Sequence, residues 1–321
     1  MPTLKTTKRI RVACLIADTT GEERCTSHSS RLARLTGAVN AIYGALADNN
    51  PDHHVILVAP EYYFSRKSMA RTDYNGQQFM AIDVDKMAHR NGPDDFSESA
   101  DMEETEDARR KPAYSEKQFR AITRELCALT TGKHNLLLVP GTTLWREYVY
   151  FKNLRGIPSP TRNTCQAFAN GQIVCEFSKT ENAAETAVDP RLGMTRAMRD
   201  QRYLFTAGAG HGQFNRWDIK FGLEICADHN NGGTLKQNLP TPDDWVDIHI
   251  LVSAGQFVQP ASAAADNGGL IIHNDGSRTD QSQTVNRIAR GIGALATLTT
   301  ENLFGEMAGC KVWEVNIDLE R

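Results

Sequence analysis

The stretch KFGLEICADH, residues 220–229, ends an apolar run in a cysteine and places an aspartate two positions later. Such a run predicts a buried strand that stops at Cys226. Free cysteines are usually small buried hydrophobic residues, so a structural thiol is the first interpretation of Cys226. The second interpretation is a nucleophile held at the end of a strand, and it requires activating partners from elsewhere in the chain.

Two other polar residues follow predicted strands in the same way. Glu61 comes directly after VILVAP, residues 55–60, and Lys179 comes directly after QIVCEFS, residues 172–178. Parallel and mixed sheets bring strand ends to one edge, where ligand sites collect. We therefore expect Glu61, Lys179 and Cys226 to lie together despite their distance along the chain.

The three residue types together predict a particular chemistry. A thiol attacks well only as a thiolate, and a carboxylate within reach can take its proton. An ammonium group can stabilise the oxyanion that forms when sulfur attacks an acyl carbon. This trio therefore indicates a covalent thioester, with an amine or ammonia as the first product.

Three motifs resemble, in this order, those of the nitrilase or carbon–nitrogen hydrolase superfamily: VAPEYYF, TRNTCQAFANGQIVCEFSKTE and KFGLEICAD. The resemblance implies an α/β fold, a four-layer α-β-β-α sandwich, with Glu61, Lys179 and Cys226 as a catalytic triad. It implies an amidase-like thiol hydrolase of non-peptide carbon–nitrogen bonds. Two alternatives remain open: a nitrilase that converts a nitrile to acid and ammonia, and a catalytically idle family member with a binding or regulatory role.

Further site residues follow from the same resemblance. Family members often have a second glutamate after the lysine, and Glu185 in TENAAETAVD is the best match. Ala227, His229 and Asn230 are expected to bind substrate or support the site. The aromatic residue that commonly follows the family nucleophile is absent, since the chain continues ADHNNGG, so the substrate cannot be inferred from the family.

The chain lacks repeats and Ser/Gly linkers, which predicts a single domain over residues 1–321 with an acidic insertion at about 66–112. Residues 91–110 carry eight carboxylates and are expected to form a flap at the pocket mouth that disfavours anionic substrates. Two hairpins are expected: one with its turn at Asn170–Gly171, and one with its turn at the glycines of GAGHG, residues 208–212.

The composition argues against a nucleic-acid-binding protein and against a membrane-spanning protein. A net charge of −3 lacks the excess of basic residues that is typical of nucleic-acid-binding proteins. No apolar run approaches the ~20 residues that cross a membrane. Seven cysteines, irregularly spaced and without a CxxC pair, favour reduced thiols and a cytoplasmic location. The residues imply no metal or organic cofactor. The family resemblance implies a small-molecule amide or nitrile substrate, and a homodimer or higher homo-oligomer.

Overall fold

A computed structural model describes residues 5–19, 28–47, 50, 52–64, 70–74, 77–81, 113–146, 159–181, 203–205, 207–208, 211–230, 232–239, 241–277, 283–290 and 297–320. The helices are α1 (His28–Leu46), α2 (Glu116–Thr130) and α3 (Thr234–Gln237), with 3₁₀ turns at Cys226–His229, Pro242–Asp244 and Pro260–Ser262. The strands are β1 (Lys5–Leu15), β2 (His53–Val58), β3 (Ala70–Tyr74), β4 (Gln77–Ala81), β5 (Tyr114–Ser115), β6 (Leu136–Val139), β7 (Thr142–Arg146), β8 (Ser159–Ala169), β9 (Gln172–Ser178), β10 (Tyr203–Phe205), β11 (Gln213–Arg216), β12 (Ile219–Ile225), β13 (Val246–Ser253), β14 (Ala265–Asp275), β15 (Gln283–Ala289), β16 (Thr297–Thr300), β17 (Leu303–Met307) and β18 (Cys310–Glu320).

The strands in these ranges form two large sheets. The first has ten strands in the order β17-β18-β1-β2-β6-β8-β7-β5, with β9 and β10 also paired to β8. The second has six strands in the order β11 to β16. Strands β1, β2 and β6 are parallel, as are β12, β13 and β14, so each group collects its carboxyl ends at one edge. The short hairpin β3–β4 lies within the predicted insertion.

Successive side chains along each strand point to opposite faces of its sheet, and this alternation divides the core into layers. On β2, Ile56 and Val58 face the second sheet, while Val55 and Leu57 face the helices on the opposite side. The same period of two recurs on β12, where the odd-numbered positions from Ile219 to Ile225 enter the cluster between the sheets. Each central strand is therefore buried on both faces, which explains its nearly continuous apolar sequence.

Helices α1 and α2 cover the outer face of the first sheet. Leu35 and Ile42 of α1, together with Phe119 and Ile122 of α2, pack into one cluster with that face. Ser115 caps α2: its hydroxyl accepts from the Gln118 backbone, and the Gln118 side chain accepts from the Ser115 backbone. This reciprocal pair satisfies two backbone donors at the helix start, which fixes where α2 begins.

A thinner layer covers the second sheet. Leu235 of the short helix α3 and Leu239, two residues after its end, pack with Ile271 and Ile288. Gly222 of β12 permits this close approach, because an added Cβ would lie 2.4 Å from Leu235 Cδ2. Helical segments thus lie outside two face-to-face sheets, and the predicted four-layer α-β-β-α sandwich is confirmed.

The two hairpins differ in how well their turns were predicted. Asn170 and Gly171 both adopt positive φ, at 48° and 79°, and form the predicted turn between β8 and β9. The β11–β12 hairpin turns instead at Trp217 and Asp218, with φ of 53° and 64°, so its predicted turn at residues 208–212 is wrong. The Trp217 ring stacks on His54 at 4.2 Å, and this packing offsets the backbone strain.

Within the described ranges, no helix is long and apolar enough to cross a membrane.

Candidate active site

The structure brings Glu61, Lys179 and Cys226 together at the ends of three strands. Glu61 follows β2, Lys179 follows β9, and Cys226 follows β12 directly. Lys179 Nζ donates to Glu61 Oε1 at 2.8 Å, and Glu61 lies close enough to Cys226 for its carboxylate to raise the pKa of the thiol. A carboxylate, an ammonium group and a thiol thus meet where the two sheets face each other.

A cross-sheet contact fixes the spacing of these strand ends. Asn274 on β14 donates from Nδ2 to the carbonyl oxygens of Val58 at 2.8 Å and Leu15 at 3.2 Å. Val58 ends β2, three residues before Glu61, whereas Asn274 belongs to the sheet that carries Cys226. Because all these groups are buried, the two bonds hold the sheet edges at a set distance.

Asn163 on β8 orients the carboxylate and was missed as a site residue by the sequence analysis. Its Nδ2 donates to Glu61 Oε1 at 2.8 Å, and its carbonyl oxygen accepts from the Lys179 backbone at 2.8 Å. One buried residue therefore contacts both charged residues, through its side chain at Glu61 and through its backbone carbonyl at Lys179. The sequence signal was present, since Asn163 stands in TRNTC at the start of the lysine motif.

The three groups differ in accessibility. Glu61 and Lys179 are each 0% exposed, whereas Cys226 is only partly buried. Two charges removed from water lose several kcal/mol of hydration, so the ion pair persists only with close partners such as those observed.

Cys226 has an unusual backbone conformation. Its φ is +46°, in the left-handed region that side-chain-bearing residues rarely adopt, and it is the first residue of the 3₁₀ turn Cys226–His229. Conformations of this kind cost roughly 1–3 kcal/mol and persist only where the surroundings enforce them. The chain therefore leaves the sheet at the cysteine itself, in a turn that other contacts must hold.

The surroundings favour the protonated form of the Cys226 thiol. Burial is the largest cause and the Glu61 carboxylate is the next; both raise the pKa of Cys226 well above its usual range. Lys179 and a backbone hydrogen bond from Ala254 oppose the rise in part. The arrangement therefore suits transfer of the thiol proton to Glu61 as the sulfur attacks, rather than a thiolate formed in advance.

Asp228 links the cysteine turn to the lysine segment. Its carboxylate accepts from the Thr180 backbone at 3.0 Å, the Thr180 hydroxyl at 2.7 Å and the Glu181 backbone at 2.6 Å. Burial raises the pKa of Asp228 to about 7, although these hydrogen bonds oppose the rise. The residues that follow Cys226 and Lys179 are thus joined through one buried carboxyl group.

This raised pKa predicts a dependence of stability on pH. Between 3.8 and about 7 the folded state binds the Asp228 proton more tightly than the unfolded state, so the stabilisation associated with that proton falls as pH rises. We expect the difference in unfolding free energy between wild type and Asp228→Asn to fall from pH 4 to pH 8, by at most ~4 kcal/mol. Urea denaturation at several pH values measures it. The difference should be constant above pH 8, and a difference that grows with pH would contradict this assignment.

The other predicted site residues have different placements. Ala227 is buried directly after the cysteine. His229 is also buried, with Nδ1 bonded to Glu224 and Nε2 accepting from the Gln259 backbone. Asn230 accepts from the Gln259 side chain at 2.9 Å. Glu185 lies outside the described residues, so its expected role stays a prediction.

Comparison with known proteins identifies the fold. No family model and no curated protein matches this sequence. Nit3 of Saccharomyces cerevisiae, a member of branch 10 of the nitrilase superfamily, matches at a TM-score of 0.50 and 14% identity, over 96% of this chain and 90% of its own. A cysteine-to-serine mutant of the Nesterenkonia AN1 amidase, also from the nitrilase superfamily, matches at 0.50 and 11% identity, over 97% of this chain and 91% of its own.

A third similar structure belongs to a longer protein. A glutamine-dependent NAD+ synthetase from Acinetobacter baumannii matches at a TM-score of 0.49 and 12% identity, over 97% of this chain. This chain spans 45% of the length of that protein. The matches to Nit3 and to the amidase show that the chain has the nitrilase-superfamily fold, as the sequence motifs predicted.

Proposed function

We propose that this protein is a carbon–nitrogen hydrolase that cleaves amides through a thioester on Cys226. The observation that carries the proposal is the meeting of three strand ends, where Glu61 accepts from Lys179 at 2.8 Å and both charges act on the Cys226 thiol. A buried, paired carboxylate beside a partly buried cysteine at a strand end is an arrangement suited to nucleophilic catalysis. The nitrilase-superfamily fold supports the same reaction class.

Acylation uses all three side chains. The sulfur attacks the amide carbon while its proton passes to Glu61, and the carbonyl oxygen takes the negative charge. Lys179 stabilises this oxyanion through its ammonium group. When the carbon–nitrogen bond breaks, Glu61 returns the proton to the departing nitrogen, so that ammonia or an amine leaves and a thioester remains.

Deacylation reuses the same carboxylate. Glu61 takes a proton from a water molecule as its oxygen attacks the thioester carbon, and Lys179 again stabilises the oxyanion. The carbon–sulfur bond then breaks, the sulfur regains the proton from Glu61, and a carboxylic acid is released. The sum is one amide and one water converted to one acid and one amine, with the enzyme unchanged.

Several wider properties belong to the same proposal. A neutral small-molecule amide is the proposed substrate, with Glu185 supporting the base and the acidic segment 91–110 as a flap near the pocket mouth; both lie outside the described residues, so these two roles stay predictions. One of the fold matches is an amidase, which makes amides the first compounds to test. We also propose a single domain, a homodimer and a cytoplasmic setting, the last because the six described cysteines are all free.

A substrate screen tests the proposed reaction. We expect ammonia release from small neutral amides and none from the Cys226→Ala variant on the same panel of amides, nitriles, ureas and carbamoyl-amines. Hydroxylamine added to the amide reactions should yield hydroxamate, because it competes with water for the thioester. Release from nitriles alone would favour the nitrilase alternative. The absence of Cys226-dependent turnover over the whole panel would favour the idle family member.

A further inference from the structure

A buried group of one carboxylate and two imidazoles lies beside the candidate site. Glu224 is on β12, His229 is in the 3₁₀ turn Cys226–His229, and His249 is on β13. Glu224 Oε2 lies 2.6 Å from His229 Nδ1 and 3.1 Å from His249 Nε2. All three side chains are 0% exposed. We call these residues the Glu–His–His cluster.

Backbone contacts determine which ring nitrogens carry protons. The Gln259 N–H donates to His229 Nε2 at 3.0 Å, and the Ala264 N–H donates to His249 Nδ1 at 3.3 Å. A ring nitrogen that accepts a hydrogen bond presents its lone pair, so in a neutral imidazole the proton is on the other nitrogen. His229 Nδ1 and His249 Nε2 therefore carry the protons. His229 Nδ1 donates to Glu224 Oε2, and His249 Nε2 lies 3.1 Å from the same oxygen.

The donor set resembles a metal site but does not suit one. Its three inner atoms lie within 4.8 Å of one another. A metal ion requires lone pairs on these inner nitrogens, which would move each proton to the outer nitrogen. The outer nitrogens already face the N–H groups of Gln259 and Ala264, so each proton would meet another donor. The protein's own backbone thus selects a hydrogen-bonded cluster.

The pKa shifts of Glu224 and His249 agree with this assignment. Burial alone would raise the pKa of Glu224, but hydrogen bonds from His229 and His249 outweigh it and lower that pKa to about 2. Burial lowers the pKa of His249, which keeps its ring neutral. Glu224 Oε1 also accepts from the Leu235 backbone at 3.0 Å. The carboxylate is therefore an ionised acceptor surrounded by donors.

The cluster connects the segments that surround the candidate nucleophile. Glu224 precedes Cys226 by two residues and His229 follows it by three, so their 2.6 Å bond closes the turn that contains the cysteine. Through Nε2, His229 also holds Gln259 in the loop after β13. That loop begins at Ala254, whose backbone hydrogen-bonds the Cys226 sulfur. The His229 imidazole thus restrains both the turn that contains Cys226 and the loop that begins at Ala254.

We propose that Glu224 and His229 are positioning residues that hold Cys226 in its strained left-handed conformation and hold the Ala254–Gln259 loop against it. His249 supports them by fixing Glu224. The expected effect on kcat rests on the proposed function, whereas the expected effect on the backbone conformation of the turn does not. Without the cluster, the turn would relax toward ordinary φ values and the sulfur would leave its contact with Glu61.

Two substitutions of one histidine separate its two bonds. In His229→Asn, the amide nitrogen occupies the position of Nδ1 and keeps the donation to Glu224, but the Gln259 N–H loses its acceptor. In His229→Gln, the amide oxygen reaches the position of Nε2 and keeps Gln259, but Glu224 loses a donor. His54→Asn is a matched control, because His54 is 2% exposed, stacks on Trp217 and lies at the opposite end of β2 from Glu61.

Hydrogen exchange by mass spectrometry on the full chain, combined with kinetics, tests the proposal. In His229→Gln we expect exchange of the residue 227–230 amides to rise about ten-fold or more, and in His229→Asn that of residues 255–259. Each variant should lower kcat by roughly 10²-fold with little change in KM. His54→Asn should leave kcat and the exchange of residues 227–230 and 255–259 unchanged, although exchange at the Trp217–Asp218 turn is expected to rise.

The outcomes separate this proposal from the proposed function. Unchanged exchange in both His229 variants overturns the positioning role, whatever the turnover. Raised exchange without any Cys226-dependent turnover in the wild type supports positioning and refutes the proposed function. Native mass spectrometry with added Zn²⁺ completes the test: a stoichiometric ion that Glu224→Gln abolishes would overturn the hydrogen-bonded cluster in favour of a metal site.

Discussion

Replacement of Cys226 by serine is expected to abolish amide turnover while the fold stays intact. A serine hydroxyl is a far weaker acid than a thiol, and a carboxylate such as Glu61 is too weak a base to activate it. Loss of a nucleophile typically lowers kcat on the order of 10⁴–10⁶-fold, and we expect a loss in this range. Cys226→Ala, which removes the attacking atom altogether, should reach the same residual rate. Ammonia release measures turnover, and urea denaturation measures stability.

The control for this experiment is Cys127→Ser. Cys127 is also a free, partly buried cysteine, but it lies on α2, outside the site. We expect this variant to keep wild-type turnover, because its sulfur contacts none of the proposed catalytic groups. A Cys226→Ser enzyme that retained a tenth of the wild-type rate would move the nucleophile elsewhere and contradict the proposed mechanism.

The central assembly could be predicted from sequence because one physical rule governs it. Apolar runs that stop at a polar residue predict strand ends, and parallel strands collect those ends at one edge. Glu61 and Cys226 follow this rule directly, and Lys179 follows a predicted hairpin whose Asn170–Gly171 turn suits positive φ. The motif resemblance then supplied the layer order that the comparisons confirm.

Other features depend on contacts that no local pattern contains. Glu224 stands in an apolar run, and its acceptor role is visible only once β13 places His249 beside it. The turn at Trp217 and Asp218 contains no glycine, and stacking of Trp217 on His54 compensates for its positive φ. Each depends on a residue distant in sequence, so turn propensities and hydrophobic periodicity could not predict it.

The second large effect concerns the buried pair of Glu61 and Lys179. Glu61→Gln removes the proposed base and Lys179→Met removes the oxyanion partner, and each should lower kcat on the order of 10²–10⁴-fold. Each substitution should also destabilise the fold by ~3–5 kcal/mol. Both side chains are 0% exposed, so the remaining charge would stay buried without its ion-pair partner. Turnover and urea denaturation of both variants measure these effects.

The double variant Glu61→Gln/Lys179→Met separates catalysis from stability. With both charges removed, most of the lost stability should return, since no unpaired charge of the pair remains buried. Turnover should not return, because the proton acceptor and the oxyanion partner are both absent. The Arg287–Glu301 pair is the control: both members are partly exposed, so Glu301→Gln, which leaves the other Arg287 contacts in place, should cost about 1 kcal/mol or less and leave kcat unchanged. A double variant that regained turnover together with stability would assign the pair a structural role only, and the proposed base would have to be sought outside Glu61.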